Sequence, residues 1–287
     1  MGKRAASEPA TRATDSPPSA GRIEVVREGA VLTLTLAHPG KLNALTVAMW
    51  QALEAAMRSA ADERGLRAVV IRGADGHFAA GADISEFPKA RGSRAAVRHY
   101  HEQVIAPALR AVARCPLPTL AVIQGVCVGG GLEIACCCDL RIAARTARIG
   151  APIGRLGFPM APAELAGLLA VAGRAVALEL LLEGRIIEAP EAYAKGLLTR
   201  VVDDAGLEAE AGRTLQRIAG GAPLAATLNK RMVRRLARPE PLDEAELDAF
   251  FSYSDTRDHR EGVAAFLEGR TPEFDADASF SLNEDDR

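Results

Sequence analysis

The 287-residue chain predicts an α/β fold that gives way to helices alone toward its C-terminus. Short apolar runs of strand length alternate with helical spacing through the first part of the chain. Two glycine-containing loops, His77-Phe78-Ala79-Ala80-Gly81-Ala82-Asp83 and Val128-Gly129-Gly130-Gly131-Leu132-Glu133, each follow a strand-like run and open toward helix-like sequence. From Pro162 onward the helical pattern dominates.

Taken in order, Ile23 to Arg27 and Val31 to Leu36 read as strands joined at Glu28-Gly29, the second alternating Leu32, Leu34 and Leu36 with Thr33 and Thr35. Thr46 is a candidate N-cap, and Met49, Leu53, Ala56, Met57 and Ala60 recur at helical spacing before a third strand, Arg67 to Arg72. Strand, helix, strand predicts a crossover unit. A polar, mobile stretch is expected at Pro88 to Ser93, then one long helix from about Arg94 to Arg114, stopped by Pro116 and Pro118. Leu120 to Gln124 reads as a buried strand, Leu132 to Cys138 as a helix and Leu140 to Ala144 as another strand. Helices are expected at Ala175 to Glu183, Pro190 to Lys195, Leu207 to Ala219, Leu224 to Ala237 and Asp243 to Phe266. The expected organisation is a disordered leader at 1–21, an α/β core at 22–200, a helical region at 201–274 and an acidic, flexible tail at 275–287.

Lys and Arg total 35 against 37 Asp and Glu, so no global basic field argues for nucleic acid. No uninterrupted apolar stretch of bilayer-spanning length is evident, which leads to the expectation of a soluble, cytoplasmic protein without a membrane partner. The five cysteines include consecutive Cys136, Cys137 and Cys138, without the spaced pairs of a zinc site, and read as small buried hydrophobes in a reducing compartment. The leader lacks the apolar region of a signal peptide.

The chemistry-bearing candidates sit on the two loops. A loop entering a helix turns unpaired N–H groups outward, and two such donors can polarise one carbonyl oxygen if the loops converge. Gly130 stands where a helix begins; the alternative reading is a tight strand-to-helix turn. Glu133 is a lone charge in an apolar stretch, so it is buried with a partner, faces a cleft, or complements the helix dipole from solvent. Asp83 reads best as a cap. His77, His99 and His101 join no Ser/His/Asp or metal-ligand constellation.

Together these segments resemble the crotonase superfamily, the enoyl-CoA hydratase/isomerase family, from about Ile23 to Phe274. His38-Pro39-Gly40-Lys41-Leu42-Asn43-Ala44-Leu45 is similar to the family's early CoA-contacting loop, and Phe78 to Asp83 to its first oxyanion-hole loop. Gly125 to Glu133 resembles the second, followed by Cys138-Asp139-Leu140-Arg141-Ile142-Ala143. Asp258-His259-Arg260-Glu261-Gly262-Val263-Ala264-Ala265-Phe266-Leu267-Glu268 resembles the C-terminal helix motif.

The resemblance implies a repeated ββα spiral with a helical C-terminal region that assembles trimers, often paired as hexamers. It implies an acyl-CoA substrate with no further cofactor, coenzyme A entering as part of the thioester. Ala82 and Gly130 would donate their amides to the thioester oxygen as it becomes enolate-like, and Glu133 would act as general acid/base. The backbone around Lys41, Leu42 and Ala80 would contact the CoA moiety. One departure bears on the reaction: Ile153 occupies the position of the second hydratase glutamate in Ile149-Gly150-Ala151-Pro152-Ile153-Gly154-Arg155-Leu156-Gly157. Glu164, in a Met160-Ala161-Pro162-Ala163-Glu164 stretch, lies outside that position and is not its counterpart. Hydration and double-bond isomerisation are the leading expectations, beside acyl-CoA hydrolysis or decarboxylation and a non-catalytic acyl-CoA- or RNA-binding homologue.

Overall fold

The computed structural model describes residues 20–275, so the expected leader and acidic tail lie outside it apart from their innermost residues. β1 (Arg22–Glu28) and β2 (Val31–Ala37) form the predicted antiparallel hairpin. On β2 the leucines are buried and the threonines half-buried, the period-two pattern of a strand with one face on the core. Thr46 caps α1 (Val47–Asp62) by accepting from the Met49 amide at 3.2 Å. Met49, Trp50, Leu53, Met57 and Ala60 are buried along one face of α1, and β3 (Ala68–Gly73) then pairs parallel to β2. The crossover unit is therefore as expected.

Two segments before β4 differ from the sequence reading. The Pro88–Ser93 stretch contains a short helix, α2 (Phe87–Ala90), which seats the Arg91 guanidinium 3.9 Å from the Phe87 ring centroid. The long helix is divided into α3 (Arg94–His99), a π-helical stretch at Tyr100–Ile105, and α4 (Ala106–Arg114). Pro107 accounts for the change: it has no N–H for the carbonyl four residues back and its ring crowds that carbonyl, which the wider turn relieves. The Ala106 amide accordingly bonds to the His101 carbonyl.

β4 (Thr119–Ile123) extends the sheet, while β5 (Val126–Val128) leaves it and leads into α5 (Gly130–Cys137). β6 (Leu140–Ala144) returns to the main sheet and β7 (Arg148–Gly150) pairs with β5. A 3₁₀ turn (Pro152–Leu156) precedes α6 (Pro162–Glu183), followed by β8 (Ile186–Glu188), α7 (Ala189–Ala194) and β9 (Arg200–Val202). The main sheet runs β1-β2-β3-β4-β6-β9, parallel beyond the first hairpin, and the smaller sheet β5-β7-β8. Among the described residues only helices follow β9: α8 (Leu207–Ala219), α9 (Pro223–Leu236), α10 (Glu244–Phe251) and α11 (Arg257–Glu268). The single pattern expected from Asp243 to Phe266 is split because Thr256 caps a new helix, accepting from the His259 amide at 3.2 Å.

Both faces of the main sheet are covered. Ala121 and Ile123 of β4 join the cluster containing the α1 residues, whereas Leu120 and Val122 alternate to the other face against Leu207 and Ala211 of α8. Among the described residues α6 is the helix that by length and composition comes up to bilayer-spanning, its 18-residue window reaching a mean hydropathy of 2.0 with 17% of it buried, although its apolar run is not uninterrupted. Arg174 and Glu179 interrupt the run without lowering that average much, and Gly173 at φ 69 and ψ 173 breaks the helix inside it.

Candidate active site

The floor of the site is backbone. His38 to Leu45 turns through positive φ at Leu42 and Asn43, 48 and 58 degrees, a region that non-glycine residues seldom occupy. The buried Asn43 side chain holds this turn: Oδ1 accepts from the His38 amide at 3.0 Å, and Nδ2 donates to the Ala74 and His77 carbonyls, both at 2.8 Å. The Leu42 carbonyl accepts from Ala80 at 2.9 Å, tying the turn to the first glycine loop. At the next residues Leu45 donates to the Gly81 carbonyl at 2.7 Å and Asp83 donates to the Leu45 carbonyl at 2.8 Å. That parallel bridge uses the groups on either side of Ala82 and leaves the Ala82 N–H outside it.

The second loop is stitched to the first. Ala79 donates to the Val126 carbonyl at 2.9 Å and Val128 to the Ala79 carbonyl at 3.0 Å. Gly81, at φ 92, comes so close that a Cβ on it would lie 3.4 Å from the Val128 carbonyl oxygen and 3.8 Å from the Gly130 nitrogen. Gly130 is the first residue of α5, so its N–H has no intrahelical acceptor. The convergence that the two loops need is therefore present, with the Ala82 and Gly130 amides at one cleft.

Ala80, Gly81, Ala82, Gly129, Gly130 and Glu133 all line that cleft, which encloses about 90 Å³ and has mostly apolar walls, Ile84, Ile105, Leu156 and Phe158 among them. Glu133 sits one turn into α5 and is only 6% exposed. Burial, reinforced by the neighbouring Glu164 carboxylate and opposed by Arg91, raises its pKa well above the usual glutamate range. The Arg91 guanidinium stacks over Phe87 and also lies 4.4 Å from the Phe158 centroid and 4.9 Å from that of Tyr100; its Nε is buried without a partner.

Other candidates fall where ordinary structure puts them. Asp83 caps a 3₁₀ turn, Oδ1 accepting from the Ser85 amide at 3.0 Å and hydroxyl at 2.7 Å. Burial acts to raise its pKa, but those bonds and Lys41 outweigh it and the net shift is downward. Lys41 is half-exposed, with Nζ 3.7 Å from Asp83. His77 is structural, its Nδ1 accepting from the Val126 amide at 3.2 Å. Tyr100 is buried against Arg91 rather than lining the cleft. Cys136 and Cys138 are buried in and beside α5, with burial pushing both thiols up to about 12, as expected of small core residues. Ile153 faces the cleft. His101 and Glu164, 63 residues apart in the chain, meet here: Glu164 lines the same cleft and its Oε1 lies 2.5 Å from His101 Nδ1.

An α/β core whose two glycine loops meet over a buried carboxylate, followed by a helical C-terminal region, is the architecture of the crotonase-fold proteins. A solved enoyl-CoA hydratase/carnithine racemase from Magnetospirillum magneticum superposes with a TM-score of 0.87 at 47% identity, covering 88% of this chain and 95% of that one. An enoyl-CoA hydratase from Bacillus anthracis gives a TM-score of 0.81 at 30% identity over 89% and 99% of the two chains. A probable enoyl-CoA hydratase of Rhizobium meliloti is 35% identical over 256 residues, 87% of this chain and 96% of the relative. The family model for enoyl-CoA hydratase/isomerase matches residues 26–277. The chain belongs to that family.

Proposed function

We propose that the protein binds an acyl-CoA thioester with its carbonyl oxygen between the Ala82 and Gly130 amides, and that Glu133 moves a proton to or from the acyl chain beside it. The reaction class is hydration or isomerisation of a double bond near the thioester. The observation that carries this reading is the meeting of the two loops beside Glu133, the Gly81 Cβ position standing 3.8 Å from the Gly130 nitrogen. Preorganised donors in an apolar cleft stabilise a developing oxyanion by about 3 kcal/mol each, and the positive end of α5 adds to the Gly130 contribution. Burial shifts the Glu133 pKa upward from the ordinary glutamate range, the direction that favours a general acid/base over a permanently ionised carboxylate. The Lys41-Leu42 turn and Ala80 would carry the CoA moiety at the rim.

The relatives' descriptions as enoyl-CoA hydratases support this chemistry. The exposed apolar residues Leu169, Leu178 and Leu182 of α6 and Val263, Phe266 and Leu267 of α11 support assembly of several copies, as a homotrimer or a dimer of trimers. Five unpaired cysteines suit a reducing, cytoplasmic setting.

The test is turnover of a panel of enoyl-, hydroxyacyl- and malonyl-CoA thioesters followed by mass spectrometry, together with exchange of the α-protons of butyryl-CoA in D2O. Wild type is expected to turn over an enoyl-CoA and to exchange. Glu133→Gln is expected to lower both by about 10²-fold or more while still binding the thioester. Undiminished exchange in that variant would remove Glu133 from the mechanism.

A further inference from the structure

We infer that Glu164, held by His101, is the second acid/base group of this cleft and supplies the water-handling carboxylate absent at Ile153. The inference rests on the reading of Glu133 above.

Glu164 is the third residue of α6, where a glutamate commonly reaches back to the helix-capping amide. Its Oε2 does so, accepting from the Ala161 N–H at 3.1 Å. Capping needs one oxygen and is usually done at the surface. Here the carboxylate is 4% exposed, its other oxygen lies 2.5 Å from His101 Nδ1, 63 residues away in the chain, and it faces the cleft that Glu133 and Ile153 also line. Those are not the requirements of a cap. Each carboxylate oxygen retains a second lone pair, so the group can accept from a water while held by its two donors.

His101 reaches this position through local backbone geometry. It belongs to the π-helical stretch Tyr100–Ile105, and its ring is nearly buried and stacked edge-on against Tyr100, with centroids 5.4 Å apart. A ring fixed in this way acts as a positioning residue: its N–H orients the carboxylate. The raised pKa of Glu133, to which the Glu164 charge contributes, agrees with two carboxyl groups close enough to divide the roles of acid and base.

The step balances without any further reactant. Glu164 removes a proton from water as the water oxygen bonds to the β-carbon of a 2-enoyl thioester. The Cα=Cβ pair moves toward the thioester oxygen, giving the enolate held by the two amides. Protonated Glu133 then delivers its proton to the α-carbon, and transfer of the proton from Glu164 to Glu133 restores the starting state. The product is a 3-hydroxyacyl thioester.

Crotonyl-CoA hydration and butyryl-CoA exchange, measured on the full chain, test this separately from the function proposed above. Glu164→Gln keeps the capping geometry and is expected to lower the hydration kcat by about 100-fold or more with KM within about threefold, while α-proton exchange falls less than about tenfold. His101→Phe should reproduce much of the hydration defect, and His101→Gln, which keeps an N–H donor, should recover part of it. Hydration by Glu164→Gln within about threefold of wild type overturns the inference. A wild type that exchanges but does not hydrate crotonyl-CoA also overturns it and leaves the proposed function standing. Exchange unaffected by Glu133→Gln overturns the proposed function, and this inference with it.

Discussion

A glutamate enclosed as Glu133 is makes the protein's stability depend on proton concentration in a specific direction. Below the ordinary glutamate value of 4.5 the side chain is protonated in folded and unfolded chains alike and has no differential effect. Above it the unfolded chain releases the proton while the native one retains it, so this residue makes the folded state progressively less stable until the native group itself ionises. Glu133→Gln should therefore raise the melting temperature at pH 8 and leave it nearly unchanged at pH 4; calorimetry at the two values checks this, and an equal shift at both would contradict it. At this scale the sequence was informative about Glu133 because a charge inside Gly129 to Cys138 is conspicuous without any structure. Glu164 was not visible in the same way. It stands among alanines and prolines where a capping glutamate is unremarkable, and its partner His101 is distant in the chain.

Elements were legible where a local rule decided them. Thr46 starts α1, the leucine alternation defines β2, and Pro116 and Pro118 bound α4, each through interactions within a few residues. The π-helical stretch was missed because helical periodicity in sequence does not register one residue of altered winding, although Pro107 was the available sign. The Lys41-Leu42 turn shows the reverse case: it was picked out only by resemblance, and the hydrogen bonds made by the Asn43 amide nitrogen depend on chain more than thirty residues away. Asn43→Ala would leave the His38 amide and the Ala74 and His77 carbonyls without their side-chain partner in a buried setting. We expect a loss on the order of 3 kcal/mol in urea unfolding. Acyl-CoA binding should weaken as well, measured by titration calorimetry at a temperature where the variant remains folded. An unchanged unfolding midpoint would show that the turn holds itself.

Among the described residues, helices α6 and α11 leave several large apolar side chains exposed. Phe266 and Leu267 are 86% and 78% exposed at the end of α11, and Leu182 is 80% exposed at the end of α6. None of these residues contributes to the core, so a charge placed there should affect association rather than folding. Phe266→Asp combined with Leu267→Asp is expected to convert a multi-copy assembly to monomer in size-exclusion chromatography with light scattering, with helical circular dichroism retained. A wild type that elutes as a monomer would refute the assembly. The sequence carried this expectation only through its resemblance to a family, because exposure depends on which helix faces are left uncovered after α8 and the sheet have packed.

The loops that bring the two amides to the cleft are joined by strand-type bridges, Leu45 with Ala82 and Ala79 with Cys127, with the Asn43 side chain bracing the adjoining turn. Every residue except proline carries such an N–H, so mutation at Ala82 alters the shape of the floor without deleting its donor. What the chain hands down is thus a trace rather than a set of functional groups. On the proposed reading, exchanging side chains such as Ile153 and Glu164 on the surrounding walls would change the chemistry of the cleft while its two backbone donors stayed in place.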